Sequence, residues 1–113
     1  MSHPIALTIA GSDSGGGAGI QADLKTFSAL RVYGASVITA ITAQNTRTVA
    51  AVEAVSPAMI GAQLDAVFGD LDIRAVKIGM VGGPEAIAVV AERLAAFLAN
   101  DPVPVVLDPV MVA

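Results

Sequence analysis

A short segment near the N-terminus, AGSDSGGGAGIQADLKT at residues 10–26, contains five glycines and two aspartates. Carboxylates accept hydrogen bonds, and glycines allow a ligand to approach the backbone closely. The segment could therefore bind a hydroxyl group of a small ligand. It could also be a tight strand-to-helix turn, in which Asp13 forms the turn or caps the helix.

The spacing of these glycines argues against a phosphate-binding loop. A P-loop requires GxxxxGK[ST], but the residue after Gly16 is another glycine and the first lysine is Lys25. Gly15, Gly17 and Gly19 form the pattern GxGxG, whereas a dinucleotide-binding site requires GxGxxG. Asp23 borders the apolar stripe of the following helix, where a carboxylate serves either the helix dipole or a ligand hydroxyl. We favour the hydroxyl.

Three further candidate residues, Gln44, Met80 and Asp108, each follow a segment that has the pattern of a strand. The amide of Gln44 combines a donor and an acceptor, which suits an amino group beside a ring nitrogen, or it could satisfy nearby backbone. Met80 could line a slot for a flat ring or fill the core. We interpret Lys77 as a strand lysine that reaches solvent and His3 as a surface residue.

The elements that must position these residues alternate between strand and helix. Buried strands are predicted at residues 4–10, 35–43, 75–79 and 103–107, with a further short strand at 48–55. Helices are predicted to begin near Gly19, after Ser56-Pro57 and at Gly83-Pro84. Such alternation predicts an α/β fold with a doubly wound, mainly parallel sheet and helices on both faces. Ligands of such sheets bind at the carboxyl ends of the strands.

Composition narrows the possible functions. The 113 residues carry a net charge of -4, are 55% hydrophobic and contain no cysteine. We therefore expect no nucleic-acid partner, no membrane span and a cytoplasmic protein. Residues 110–113 include no helix to cover the last predicted strand, which predicts a domain that is incomplete at its C-terminus.

Four motifs in order resemble one family: the glycine-rich segment, TAITAQNT at 39–46, KIGM at 77–80 and LDPVM at 107–111. The family is hydroxymethylpyrimidine/phosphomethylpyrimidine kinase of thiamine biosynthesis, in the ribokinase-like superfamily. The resemblance implies phosphorylation of 4-amino-5-hydroxymethyl-2-methylpyrimidine and of its monophosphate, with ATP and Mg²⁺, by a homo-oligomer. Residues 1–113 would form the N-terminal, substrate-side part of a single kinase domain.

The same resemblance implies roles for six residues. It places Gln44 on the aminopyrimidine edge, Asp23 and the Gly11 backbone near the hydroxymethyl arm, Met80 against the ring, the Leu107 backbone at the substrate and Asp108 near the metal and phosphates. The anion hole and catalytic residue of the family belong to its C-terminal half, so we expect no turnover by this chain alone. Two alternatives stay open: a pyridoxal kinase of the same superfamily, and a non-catalytic ligand-binding module.

Overall fold

The structure, a computed structural model, describes residues 3–108. Pro109 to Ala113, and with them most of the LDPVM motif and the predicted uncovered end, lie outside the described residues. The described elements, in chain order, are β1 (Ile5–Ala10), α1 (Gly19–Ala29), β2 (Tyr33–Ile38), β3 (Ala40–Gln44), β4 (Val49–Ala54), α2 (Pro57–Asp70), β5 (Ile73–Ile78), α3 (Pro84–Asn100) and β6 (Val105–Leu107).

Four strands form one parallel sheet in the order β2-β1-β5-β6. Successive side chains of a strand point to opposite faces, and β1 shows both contacts. Thr8 bonds to Asp23 of α1 on one face, while Leu7 and Ile9 pack with residues of α2 and α3 on the other. The α/β fold with a mainly parallel sheet and helices on both faces is thereby confirmed.

The main hydrophobic core lies between the sheet and the α2–α3 layer. Leu7, Ile60 and Leu64 are fully buried there, and burying each such side chain contributes roughly 1.5–3 kcal/mol. Apolar residues at helical spacing predict the buried face of α3, namely Ile87, Val90, Leu94, Phe97 and Leu98. This prediction is wrong at one position. Ile87 is 53% exposed, and the neighbouring Ala86 enters the core in its place, because the helix presents a slightly rotated face to the sheet.

The single buried strand predicted over residues 35–43 is also wrong. The chain leaves the parallel sheet at Thr39, whose hydroxyl donates to the Met80 carbonyl at 2.7 Å and whose N–H donates to the Ala10 carbonyl. Beyond it, β3 pairs antiparallel with β4 in a separate two-stranded sheet, here called the ribbon. The strand proposed over residues 48–55 is confirmed as β4.

The helix starts agree with the sequence. The Ser56 hydroxyl accepts from the Met59 N–H at 3.1 Å, with Pro57 as the first residue of α2. α3 begins at Pro84. Within residues 3–108, every helix is too short or too polar to cross a membrane.

Candidate substrate site

A cavity of about 340 Å³ opens where β1 and β5 end side by side. The helices that follow these two neighbouring strands pack on opposite faces of the sheet, which leaves a crevice between the strand ends. Four of the six predicted site residues line this cavity: Gly11, Gln44, Met80 and Asp108. Asp23 and Leu107 lie outside its lining.

Asp13 organises the glycine-rich loop at one wall. The residue is 5% exposed, and its carboxylate accepts hydrogen bonds from the backbone N–H groups of Gly15 at 2.8 Å, Gly17 at 3.0 Å and Ala18 at 2.9 Å. These bonds compensate its negative charge within the loop. Asp13 is therefore a turn former, as its position predicts.

Two glycines bring the loop close to the cavity. Gly19 has φ +58, and a Cβ there would lie 2.3 Å from the Gly11 carbonyl oxygen. That same oxygen accepts from the Ile20 N–H at 2.9 Å, which ties the end of β1 to the start of α1. At Gly11 a Cβ would lie 3.2 Å from Met80 Cε. The missing side chain leaves room for the methionine beside the loop.

Gln44 ends β3 and faces the cavity from the ribbon. Its backbone N–H donates to the Ser14 hydroxyl at 2.7 Å, and that hydroxyl donates to its carbonyl. Gln44 Oε1 lies 3.3 Å from the Thr42 hydroxyl, which donates more closely to the Ser12 carbonyl at 2.7 Å. Among the described residues Nε2 has no acceptor, so the amide retains a donor and acceptor capacity for a ligand.

Asp23 lies beneath the cavity, in contact with other residues of the chain. Its Oδ2 accepts from the Thr8 hydroxyl at 2.6 Å and from Lys77 Nζ at 2.9 Å, and the side chain is 17% exposed. The carboxylate's need for hydrogen-bond donors, which favoured a ligand hydroxyl, is thus met in part by Thr8 and Lys77. Within the described part of the chain Oδ1 has no donor, so a ligand contact through that atom stays a prediction.

Lys77 is the site residue that sequence reasoning missed, and the prediction that it reaches solvent is wrong. Its side chain is 22% exposed and ion-paired with Asp23, and it lines the cavity. A lysine between Val76 and Ile78 in a buried strand is rarely buried without a partner. That position, opposite an acid on the covering helix, is the signal that could have identified it.

Asp108 and Leu107 differ in where they point. The Asp108 N–H donates to the Ile78 carbonyl at 2.9 Å, and its carboxylate is 65% exposed with Oδ2 3.8 Å from Lys77 Nζ. Leu107 lines an adjoining apolar cavity of about 500 Å³, which it shares with Met80. Nowhere in residues 3–108 do three acidic or histidine side chains gather as a metal site. One carboxylate suffices for a magnesium ion that arrives bound to nucleotide phosphates.

The solved structures that resemble this chain include two kinases. A phosphomethylpyrimidine kinase from Clostridium difficile 630 matches with a TM-score of 0.90 and 58% identity, over 97% of this chain and 46% of that one. An ADP complex of Bacillus subtilis pyridoxal kinase matches with a TM-score of 0.85 and 40% identity, over 98% and 41%. The fold is therefore that of the ribokinase-like kinases.

Sequence comparison defines the family more narrowly. The model described as phosphomethylpyrimidine kinase matches residues 13–113. A hydroxymethylpyrimidine/phosphomethylpyrimidine kinase of Rhizobium meliloti (strain 1021) is 70% identical over 109 residues, which are 96% of this chain and 40% of that protein. The chain belongs to the phosphomethylpyrimidine kinase family, as its four motifs predict. It spans about 40% of the length of that relative.

Proposed function

We propose that residues 1–113 form the substrate-binding part of a kinase that phosphorylates 4-amino-5-hydroxymethyl-2-methylpyrimidine and its monophosphate with ATP. The observation that carries the proposal is the cavity itself, in which Gln44 and Met80 face the glycine-rich loop. An amide can pair with an amino group and the adjacent ring nitrogen. The methionine thioether offers a polarisable surface to a flat ring.

The hydroxymethyl arm would lie toward the end of β1. The loop backbone at Gly11 approaches the cavity closely because no side chain intervenes. Asp23 Oδ1 would accept a hydrogen bond from the hydroxyl group of this arm, with Oδ2 fixed by Thr8 and Lys77. In this arrangement the Asp23 carboxylate orients the hydroxyl oxygen of the substrate, which is the atom that receives the phosphoryl group.

Asp108 is the residue that we propose for Mg²⁺. Its exposed carboxylate stands at the carboxyl end of β6, on the cavity wall, and hard oxygen ligands are those that magnesium prefers. When bound, the ion would neutralise charge on the phosphates during phosphoryl transfer. The Leu107 backbone, one residue earlier, would contact the substrate through main-chain atoms alone.

The test is a comparison of kcat/KM with ATP, in a protein of the relatives' full length that contains this chain. We expect the aminopyrimidine to be preferred over pyridoxal by at least about a hundredfold, since unpaired polar groups in a site disfavour the wrong ligand strongly. Equal or reversed preference would reject the proposal. The 113 residues alone are expected to show no turnover.

Pyridoxal phosphorylation is the second candidate. It is favoured by the likeness to the Bacillus subtilis pyridoxal kinase at 40% identity. The amide of Gln44, with Nε2 available for an acceptor, argues for the aminopyrimidine, because pyridoxal carries no ring amino group. Self-association and a cytoplasmic location stay predictions.

A further inference from the structure

Lys77 is the one cationic side chain among the described residues that line the cavity. Its side chain extends along β5 toward the carboxyl end of the sheet, since a Cβ at Gly79 would lie 3.1 Å from Nζ. The absence of a side chain at Gly79 leaves space for the ammonium group. Lys77 thus places a positive charge at the cavity wall and not in bulk solvent.

The Lys77 ammonium group lies near two carboxylates, so its positive charge does not neutralise both of them. Asp23 Oδ2 lies 2.9 Å away and Asp108 Oδ2 lies 3.8 Å away, so the trio of Asp23, Lys77 and Asp108 carries a formal charge of -1. Asp13, the other acid of the cavity wall, has its carboxylate compensated by three backbone N–H groups. Without Lys77, the Asp23 carboxylate beside the cavity and the Asp108 carboxylate on its wall would lose the cation that they share.

The two substrates of the proposed function differ in charge at the arm that must approach this trio. A hydroxymethyl group is neutral, whereas a phosphate monoester carries a charge of about -1.5 to -2 near neutral pH. Repulsion between that phosphate and the acids therefore acts on one substrate only. A cation at Nζ reduces the repulsion, and can donate hydrogen bonds to phosphate oxygens.

We propose that Lys77 determines acceptance of the phosphorylated substrate: its ammonium group offsets Asp23 and Asp108, so that a phosphomethyl arm can occupy a cavity that otherwise admits only a neutral arm. This inference rests on the proposed function and adds a specificity role to it. If Lys77 only oriented Asp23, its removal would affect the two substrates equally. If Lys77 offsets the negative charge of the acids, its removal would affect the phosphomethyl substrate more.

The experiment measures KM and kcat for both substrates in a full-length protein that contains this chain, as wild type and as Lys77→Met. We expect the KM ratio of phosphomethyl to hydroxymethyl substrate to rise at least about tenfold in K77M. Lys77→Arg, which keeps the charge, should change that ratio less than about threefold. Arg74→Met removes an exposed cation from the same strand and should leave the ratio unchanged.

The wild-type protein provides a second measurement that does not depend on how the variant folds. Raising the salt concentration should change KM for the phosphomethyl substrate and leave KM for the hydroxymethyl one unchanged, because salt screens the charge interaction that only the phosphate makes. An equal loss on both substrates in K77M, or a salt-independent KM for both, would overturn the inference. A wild-type protein that phosphorylates neither substrate would instead reject the proposed function.

Discussion

The glycine-rich loop and the ribbon form adjoining walls of the cavity, and they differ in how far each is fixed by its own contacts. In the loop, Asp13 is buried and its carboxylate bonds three backbone N–H groups of the same segment. In the ribbon, all six residues of β4 are exposed, including Val49 and Val52. The loop is fixed by its own hydrogen bonds, whereas the ribbon is an open two-stranded sheet.

The ribbon takes its position from the loop. The Ser12 N–H donates to the Ala40 carbonyl at 2.9 Å, and the Ser14 hydroxyl bonds both backbone groups of Gln44. We infer from this difference that the loop contributes to stability and that the ribbon contributes to ligand recognition. Substitutions at Asp13 and Gly19 of the loop should lower the free energy of unfolding, while substitutions at Gln44 should weaken ligand binding and leave the fold intact.

Gly19→Ala should have the largest effect. The added Cβ meets the Gly11 carbonyl oxygen at 2.3 Å, and φ +58 is unfavourable for alanine. We expect the free energy of unfolding, measured by urea denaturation, to fall by about 3–4 kcal/mol. Gly69→Ala is the control: it lies in α2 with open space around it and should gain about 0.5–1 kcal/mol. A loss below about 1 kcal/mol in G19A would contradict a rigid loop.

Asp13→Ala should follow closely. It leaves three backbone donors without their acceptor, and each such loss is costly. The free energy of unfolding should fall by about 2–3 kcal/mol in the same assay. Asp13→Asn retains one acceptor oxygen and should lose roughly half as much. Equal stability of D13A and wild type would show that the loop does not depend on this carboxylate.

Gln44→Ala should separate binding from stability. We expect the affinity for the aminopyrimidine, measured by isothermal titration calorimetry, to fall about thirtyfold, because two hydrogen bonds are lost. The free energy of unfolding should change by less than about 0.5 kcal/mol.

Gln63 is the matched control amide. Its Oε1 accepts from the Ile38 N–H at 2.8 Å and its Nε2 donates to the Ile38 carbonyl at 2.9 Å. Gln63→Ala should lower the free energy of unfolding by about 1–2 kcal/mol and leave the affinity unchanged. If the two variants behave alike, the distinction between a binding amide and a structural amide fails.

Ser14→Ala should have the smallest effect. It removes the hydroxyl that joins the loop to the Gln44 backbone, so the ribbon should hold the amide less firmly. We expect the aminopyrimidine affinity to fall about threefold. Hydrogen exchange at the Gln44 backbone N–H should accelerate, while exchange in β1 is unchanged. Unaltered exchange at Gln44 would show that the ribbon does not need this link.

The parallel sheet and the helix starts could be predicted because their signals are local. Ser56 before Pro57 defines a helix start, and apolar runs between turns define buried strands. The departure of β3 could not be predicted, because it depends on contacts of Thr39 with Ala10 and Met80, which are remote in sequence. A continuous apolar run contains no information about such partners.

The candidate site shows the same division. Met80 could be expected at the cavity because it follows β5, whose carboxyl end meets that of β1. Gln44 reaches the cavity by another route, because it ends β3 of the ribbon and not a strand of the parallel sheet. Lys77 could not be placed by its own pattern, since strand lysines are commonly exposed. Its burial depends on Asp23, 54 residues away, and on the space above Gly79.

The central claim is that the Gln44 amide binds the edge of an aminopyrimidine. The most direct measurement is the NMR signal of glutamine side-chain NH₂ groups while 4-amino-5-hydroxymethyl-2-methylpyrimidine is added to a full-length protein that contains this chain. We expect the Gln44 signals to shift and their hydrogen exchange to slow at saturation, with the Gln63 signals unchanged. Saturable binding that leaves the Gln44 signals in place would contradict the claim.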